Sequence, residues 1–330
     1  MTIAVSFAAA TMALLSPAAA APAVMAYFEG APSVASLDAF AGHLQIVAAD
    51  LFAINAKGRI TGHIPASLTS IASTDRIQVL VTVSNFGING FSEAIAHAIL
   101  TPGMAQQAAI ANMVKAAAGY AGINLDFESV RRTDRAAYTA FATALAAALH
   151  QHGLVEVLSI PAETADNPKD SWTGAFDYAA LGRVADLVQV MTYDENGPWG
   201  PPGPVAGLDW MSACLAFSQR VLPAGKISLG VPAYGYDWNL TAGGGKQVAY
   251  AAVPALMTQT GAVPQWDAAT SSPWFSYTAA NGASHVVWYE NAKSIALKSA
   301  LATQHGVAGL SIYALGFENA AFWSAMTTSF

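Results

Sequence analysis

The chain is predicted to fold as a (β/α)8 barrel carrying a small α+β insertion between its seventh and eighth strands. Three observations predict it. Eight short runs rich in Val, Ile, Leu and aromatic residues recur along the chain, and helical stretches separate most of them. A length of 330 residues suits one barrel closed as a single unit. The interval between the seventh and eighth runs is far longer than a barrel crossover needs, and it contains a hairpin of its own.

In chain order, Ala23–Phe28 is the first strand. Leu44–Ile54 is the second, closed by the hairpin-like turn Asn55-Ala-Lys-Gly58. Ile77–Ser84 and Gly122–Glu128 follow, then Glu156–Pro161, Leu187–Tyr193, Lys226–Ala233 and Val307–Tyr313. Helical patterns occupy Ser92–Ile99, Gly103–Ala118, Asp134–His150, Tyr178–Val184, Leu208–Val221 and Ala292–His305. The insertion, about 234–290, holds Trp274–Thr278 and His285–Tyr289 around Asn281-Gly282, an Asn-Gly hairpin signal. On the barrel rim it would wall one side of a cleft. No linker, repeat or low-complexity segment divides residues 22–330 further.

Charged residues make up 11% of the chain and hydrophobic ones 54%, partly through Ala, so a sizeable core is available. A formal net charge of −7 and the lack of any Lys/Arg cluster exclude nucleic acid as an expected partner. Cys214, the single cysteine, lies in an amphipathic helical pattern and is expected to be a buried, inert thiol. Residues 1–21 contain the apolar Ile3–Leu15 and Ala-x-Ala sites around Ser16–Pro22, which read as a secretory signal peptide, although the usual positive n-region is missing. The alternative is a disordered Ala-rich tail. No later run reaches the length of a membrane span, so a secreted or periplasmic, monomeric protein is expected.

The stretch Gly122-Ile-Asn-Leu-Asp-Phe-Glu128 concentrates the chemistry. Ile123, Leu125 and Phe127 alternate with Asn124, Asp126 and Glu128, the period of a strand. Side chains two apart share a face, with Cβ atoms roughly 6–7 Å apart. Adjacent acids on one face repel unless something uses them, whereas a merely solvated face usually carries Lys, Thr or Ser. Barrel enzymes keep their catalytic groups at the C-terminal strand ends. Those ends read Phe28-Glu29, Ser84-Asn85-Phe86, Asp126-Phe-Glu128, Met191-Thr-Tyr-Asp194, Tyr234-Gly-Tyr-Asp-Trp238 and Tyr313. Aromatic faces suit sugar rings and acid pairs suit glycosidic cleavage. No His-x-x-x-His, Cys pair or phosphate-cradling loop competes, so neither metal nor cofactor is expected. Gly243-Gly244-Gly245 reads as a turn, and the seven His residues show no ligand spacing.

Ala121-Gly-Ile-Asn-Leu-Asp-Phe-Glu128 resembles the Asp-Gly-x-Asp-x-Asp-x-Glu signature of glycoside hydrolase family 18, the chitinase family. With Asn124 at the middle acid it is similar to the branch of spore-germination and cortex-lytic N-acetylglucosaminidases. Leu80–Leu100, Gln189–Asp194, Gly200–Val205, Gly230–Trp238, His285–Ala292 and Gly309–Gly316 carry the likeness over nearly the whole chain. The resemblance implies a retaining hydrolase of glycans containing β-linked N-acetylglucosamine, chitin-like or peptidoglycan, with Glu128 as general acid/base. Asp126 would orient the substrate's N-acetyl group and Tyr193 would hydrogen-bond the acetamido oxygen, which attacks the anomeric carbon. Asp194 follows in the family's Met-x-Tyr-Asp element. Ionised Asp126 is expected to raise the pKa of Glu128.

Three departures stand out. Ala121 replaces the first acid of the signature. Asn124 can no longer pass a proton inward but can donate a hydrogen bond to Asp126. Tyr313 stands where the family usually has a Trp beneath the −1 sugar, and covers less area. Asn124, Asp194, Tyr313, Tyr27, Phe86, Tyr234 and Trp238 are the expected substrate contacts. Trp238, Trp274 and Trp288 serve equally as packing for the insertion. The alternative reading is a catalytically silent chitinase-like lectin, against which the retained Glu128, Asp126 and Tyr193 argue. A weaker third is an assembly or export protein reusing the barrel.

Overall fold

Eight parallel strands close on themselves in the computed structural model, which describes residues 22–330. They are β1 (Ala23–Phe28), β2 (Ile46–Ile54), β3 (Gln78–Ser84), β4 (Gly122–Asp126), β5 (Val155–Pro161), β6 (Leu187–Met191), β7 (Ile227–Pro232) and β8 (Gly309–Tyr313). Each pairs with its neighbour in sequence, and β1 closes the ring by pairing with both β2 and β8. The signal-peptide reading of residues 1–21 falls outside the described residues.

The strand period of two sorts the side chains. Outward-facing Val24, Ala26, Ile123, Leu125, Leu158, Ile160, Val188, Val190, Leu229, Val231, Leu310 and Ile312 are buried with the surrounding helices in one continuous core. Inward-facing Met25, Ile46, Ala48, Leu80, Val157 and Leu187 plug the lower barrel. Nearer the C-terminal end the inner face turns polar, with Thr82, Asn124, Asp126, Ser159, Gln189 and Ser311 all buried. A chain that places this much polarity in its interior must satisfy it there or use it.

The helices expected from sequence are present, several with caps that explain where they begin. Ser92 accepts from Ile95 N–H, Asp177 from Ala180 N–H, and Asn291 forms a capping box with Ser294. Four further helices, Ala31–Phe40, Ala66–Asp75, Val253–Thr260 and Ala320–Ser329, were not expected. Small Ala, Ser and Thr residues dominate most of them and give little apolar periodicity; Ala31–Phe40 buries only Ser33, Ser36 and Leu37.

The insertion between β7 and β8 is a five-stranded antiparallel sheet in the order Gly245–Ala249, Tyr234–Asn239, Ser284–Trp288, Ser272–Thr278, Gln265–Asp267. The expected Asn281-Gly282 turn is present, Gly282 supplying φ +84°. One sheet face buries Val248, Phe275, Val287 and Tyr289 with Val253 of its helix. The other presents Tyr234, Tyr236 and Trp238 to Tyr193, Tyr313 and Phe317 at the barrel mouth. Where the insertion rejoins the barrel, Lys298 Nζ and Glu290 form a fully buried ion pair at 2.6 Å.

Candidate active site

Asp126 ends β4 pointing inward, and Glu128 stands two residues on, just beyond the strand and not within it as expected. Asn85, fully buried after β3, fixes that exit. Its Oδ1 accepts from Glu128 N–H at 2.9 Å, and its Nδ2 donates to Glu128 C=O at 2.8 Å and Ser92 C=O at 3.0 Å. Ser129 then turns the chain away at φ +52°.

The loop after β6 supplies Tyr193 and Asp194. Thr192 Oγ1 donates to Gly230 C=O at 2.7 Å, drawing the loop against β7. A Cβ at Gly230 would come within 2.8 Å of Tyr193 Cε1 and 2.7 Å of Val190 O, so only glycine lets Tyr193 lie there. Asp194 sits at φ +61°, a conformation costly for most residues and often found at functional sites. Its Oδ1 accepts from Tyr234 OH at 2.7 Å and Tyr236 OH at 2.9 Å, so the insertion sheet positions it.

From the opposite wall come Tyr27 and Tyr313, whose ring centroids lie 5.5 Å apart. Tyr313 OH donates to Glu29 at 2.6 Å, and its ring lies 5.8 Å from that of Tyr193. Tyr27 is nearly closed off from solvent; its hydroxyl meets Ser159 Oγ at 2.8 Å and Gln189 Oε1 at 3.2 Å beneath the floor.

Two lobes meet at Glu128. The smaller, 260 Å³, is lined by Asp50, Asp126, Glu128, Tyr193, Asp194 and Tyr313, among others. The larger, 690 Å³, runs past Glu128, Tyr193 and Asp194 to Trp172, Trp199 and Trp210. Glu128 is thus flanked by a polar chamber of about sugar size and a longer aromatic trough. Burial first, then the Asp194 and Asp50 charges, push the Glu128 carboxyl up to about 7. The sequence reading had assigned that push to ionised Asp126. Asp126 instead keeps its own proton far above the usual carboxylate range, through burial and the charges of Glu128 and Asp50. Burial likewise keeps the Tyr193 phenol neutral, a hydrogen-bond donor at any working pH.

Asn124 is expected to touch substrate and able to donate to Asp126, but its side chain is engaged with Ser159 and not with Asp126. It is fully buried below the chamber, with Nδ2 donating to Ser159 Oγ at 3.1 Å. Trp238 is buried too, its Nε1–H directed at the carbonyls of Gly197 and Gly200, both at 3.2 Å, so it braces the loop carrying Trp199. Trp274 and Trp288 stack on each other at 5.8 Å within the insertion. Phe86 stands exposed on a small hairpin, edge-on to Phe91, which lines the chamber.

Sequence reasoning missed Asp50, Trp172 and Trp199. Asp50 had a signal: Ile46, Ala48 and Asp50 share the inward period of β2. A register shift between Asp50 and Phe52 breaks the alternation just there, and the strand runs on to Ile54, so Asp50 did not read as a strand end. Trp172 and Trp199 lie on loops, where no periodicity points to a face. Among the described residues no group of three or more His, Cys, Asp or Glu side chains is placed to hold a metal ion, and no helix is long and apolar enough to cross a membrane.

A closed barrel with an acid of raised pKa at its C-terminal mouth, between a polar chamber and an aromatic trough, is a glycoside hydrolase in form. The chain belongs to glycosyl hydrolases family 18, whose model matches residues 41–318, and it is a chitinase-like glycoside hydrolase. It is similar to a chitinase of known structure from Chromobacterium violaceum, 42% identical over 94% of this chain and 99% of that one, with a TM-score of 0.89. It is 37% identical to the Bacillus subtilis glycosylase YvbX over 88% of this chain and 86% of that protein. It is 29% identical to the cortical fragment-lytic enzyme of Bacillus subtilis over 87% of this chain and 68% of that enzyme.

Proposed function

We propose that this chain is a retaining β-N-acetylglucosaminidase or chitinase whose nucleophile is the substrate's own acetamido oxygen. Glu128 protonates the leaving oxygen, Asp126 accepts the acetamido N–H, and the Tyr193 hydroxyl donates to the acetamido oxygen as it attacks the anomeric carbon. The observation carrying this reading is the place of Glu128, its carboxyl pushed up to about 7 by burial and nearby charges, directly above Asp126 at the junction of the two lobes. The sugar bearing the acetamido group fills the small chamber over Tyr313. The leaving part of the glycan runs along Trp172, Trp199 and Trp210. Chitin-like and peptidoglycan strands both offer such a sugar, consistent with relatives named chitinase and cortical fragment-lytic enzyme. Both are met outside the cytoplasm, the destination toward which the residue 1–21 segment points.

NMR of early products from chitooligosaccharides tests the mechanism: the β-anomer appears first, and matched substrates lacking the N-acetyl group are left intact. First-formed α-anomer, or equal cleavage of both substrates, refutes it. The second arm also excludes a protein nucleophile such as Asp50 or Asp194, which would not need the acetamido group.

A further inference from the structure

The amide at position 124 leaves Asp126 without an acidic neighbour along its own strand, and the structure shows where the nearest substitute lies. Asn124 is engaged with Ser159 both as donor, at 3.1 Å, and as acceptor, at 3.2 Å. Above it, Asp126 Oδ1 is buried and bonded to no described residue, and the Thr82 hydroxyl is in the same condition. Buried polar atoms nearly always have a partner, so these two mark a place where a proton or a water is handled.

Strand register supplies the third member. Thr82 on β3 is aligned with Asn124 on β4 and with Asp50 on β2. Asp50, Thr82 and Asn124 therefore form one row across the inner face, with Asp126 one step above its β4 end. The irregularity immediately after Asp50 sits at the mouth, where bulges commonly re-aim a side chain. Asp50 lines the same small chamber as Asp126. Two strand spacings and one two-residue step separate their backbones by roughly 11–12 Å along the sheet, a span that barrel curvature shortens between inward-pointing side chains. Asp126 Oδ1 has no hydrogen-bond partner among the described residues, so the two carboxyls communicate through intervening water.

We propose that Asp50 is the proton partner of Asp126, a positioning residue that does across the barrel what an acid at position 124 would do along the strand. This rests on the substrate-assisted reading above. In the free protein Asp126 holds the proton and Asp50 is a carboxylate. When the acetamido N–H arrives, the O–H bond of Asp126 breaks, the proton passes by way of water, and an O–H bond forms on Asp50. Asp126 is then the carboxylate that accepts the N–H. The pair carries one negative charge before and after, and the proton returns when product leaves.

The electrostatics agree. Burial and the Glu29 charge push Asp50 up to about 6, while burial and the Glu128 and Asp50 charges hold Asp126 well above the usual carboxylate range, so the two compete for a proton. The titratable groups facing Asp50 are Tyr27 and Glu29 from β1 and its end, Tyr313 from β8, and Asp126 and Glu128 from β4. Tyr193 and Asp194 line the chamber across from them, with Tyr234 and Tyr236 behind.

The test compares wild type, Asp50→Asn, Asn124→Asp and the double variant. Kinetics use an aryl chitobioside across pH, and NMR follows the side-chain carboxyl carbons of 13C-aspartate-labelled protein without substrate. Asp50→Asn is expected to lower kcat roughly tenfold or more with KM nearly unchanged. It should also shift the Asp126 titration to lower pH; the alkaline limb of kcat/KM, set by Glu128, moves the same way because the Asp50 charge raises Glu128 too. Adding Asn124→Asp should restore most of the lost kcat and return the titration upward. Wild-type kcat with an unmoved Asp126 titration in Asp50→Asn overturns the proposal. So does a loss of kcat that leaves the titration in place and is not rescued by Asn124→Asp, the outcome of a merely structural role. The titration needs no turnover, so a wild type that fails to cleave the glycoside would count against the functional reading, while the NMR result still decides the Asp50–Asp126 coupling.

Discussion

Asn85 offers the sharpest check on how the acid is held, because it touches Glu128 only through the backbone. Replacing it with Ala removes three hydrogen bonds of 2.8–3.0 Å and leaves Glu128 N–H, Glu128 C=O and Ser92 C=O without that partner. At about 1 kcal/mol net for each bond, with some added cost for the space left in a fully buried position, the loss is about 3–4 kcal/mol. At about 2 °C per kcal/mol for a chain this large, the Tm falls by roughly 6–8 °C. With its anchor gone the Glu128 carboxyl is free to shift by something like 1 Å, which lowers kcat by roughly 10–100-fold. The Glu128 side chain keeps its charged neighbours, so the alkaline limb of the pH profile should move little. Thermal unfolding by circular dichroism, together with aryl-glycoside kinetics across pH, reads all three quantities on one variant. A variant with the expected Tm loss but wild-type kcat at permissive temperature would show that Asn85 braces the fold without placing the acid.

Other predictions follow from the same geometry. Glu128→Gln lowers kcat by roughly 10²–10⁴-fold with substrate binding largely kept, and wild-type kcat/KM declines above the value of about 7 to which Glu128 is pushed. A carboxyl whose folded pKa is raised contributes stability that is complete below its unfolded value, and that contribution is lost as pH rises through its folded value. Glu128→Gln should therefore gain on wild type by up to about 3 kcal/mol between pH 5 and pH 8, measured by denaturant unfolding at both. Lys298→Met strands the buried Glu290 carboxylate and costs about 3–5 kcal/mol, much of which Lys298→Met combined with Glu290→Gln recovers, as urea titration would reveal. Trp199→Ala removes an exposed face of the long trough and should slow cleavage of long chitooligosaccharides far more than that of a minimal aryl glycoside; equal loss on both would mean that Trp199 serves the loop and not the glycan.

Much of the site was legible in sequence because it obeys a local rule. The alternation through Gly122–Asp126 puts Asp126 inward and Leu125 outward with no tertiary information, and Met191–Asp194 reads the same way at the end of β6. The errors cluster where partners are distant in sequence. Asn124 looked free to serve Asp126 because the strand alone does not show Ser159 beside it on β5. Trp238 reads in sequence equally as a sugar contact or as packing, and only the fold brings the loop carbonyls of Gly197 and Gly200 within reach of its indole. The hairpin from Trp274 to Tyr289 reads in sequence as a local unit, yet Ser284–Trp288 is a central strand paired to the one bearing Tyr234 and Tyr236. Those two phenols hold Asp194.

By itself the sequence determined the order of the eight barrel strands and of six of the helices, the inward and outward faces of each barrel strand, and the acids at two strand ends. These follow from periods of two and 3.6 residues and from caps and turns, all of which act over a few residues. The tertiary structure alone decided which acids share a chamber, how Asp50 joins it while Glu29 holds the Tyr313 hydroxyl, and where the aromatic trough lies. It also decided that burial, more than any neighbouring charge, raises the pKa of Glu128. Desolvation and Coulomb terms depend on distances through space, and barrel closure sets those distances by bringing β1 beside β8 across nearly the whole length of the chain.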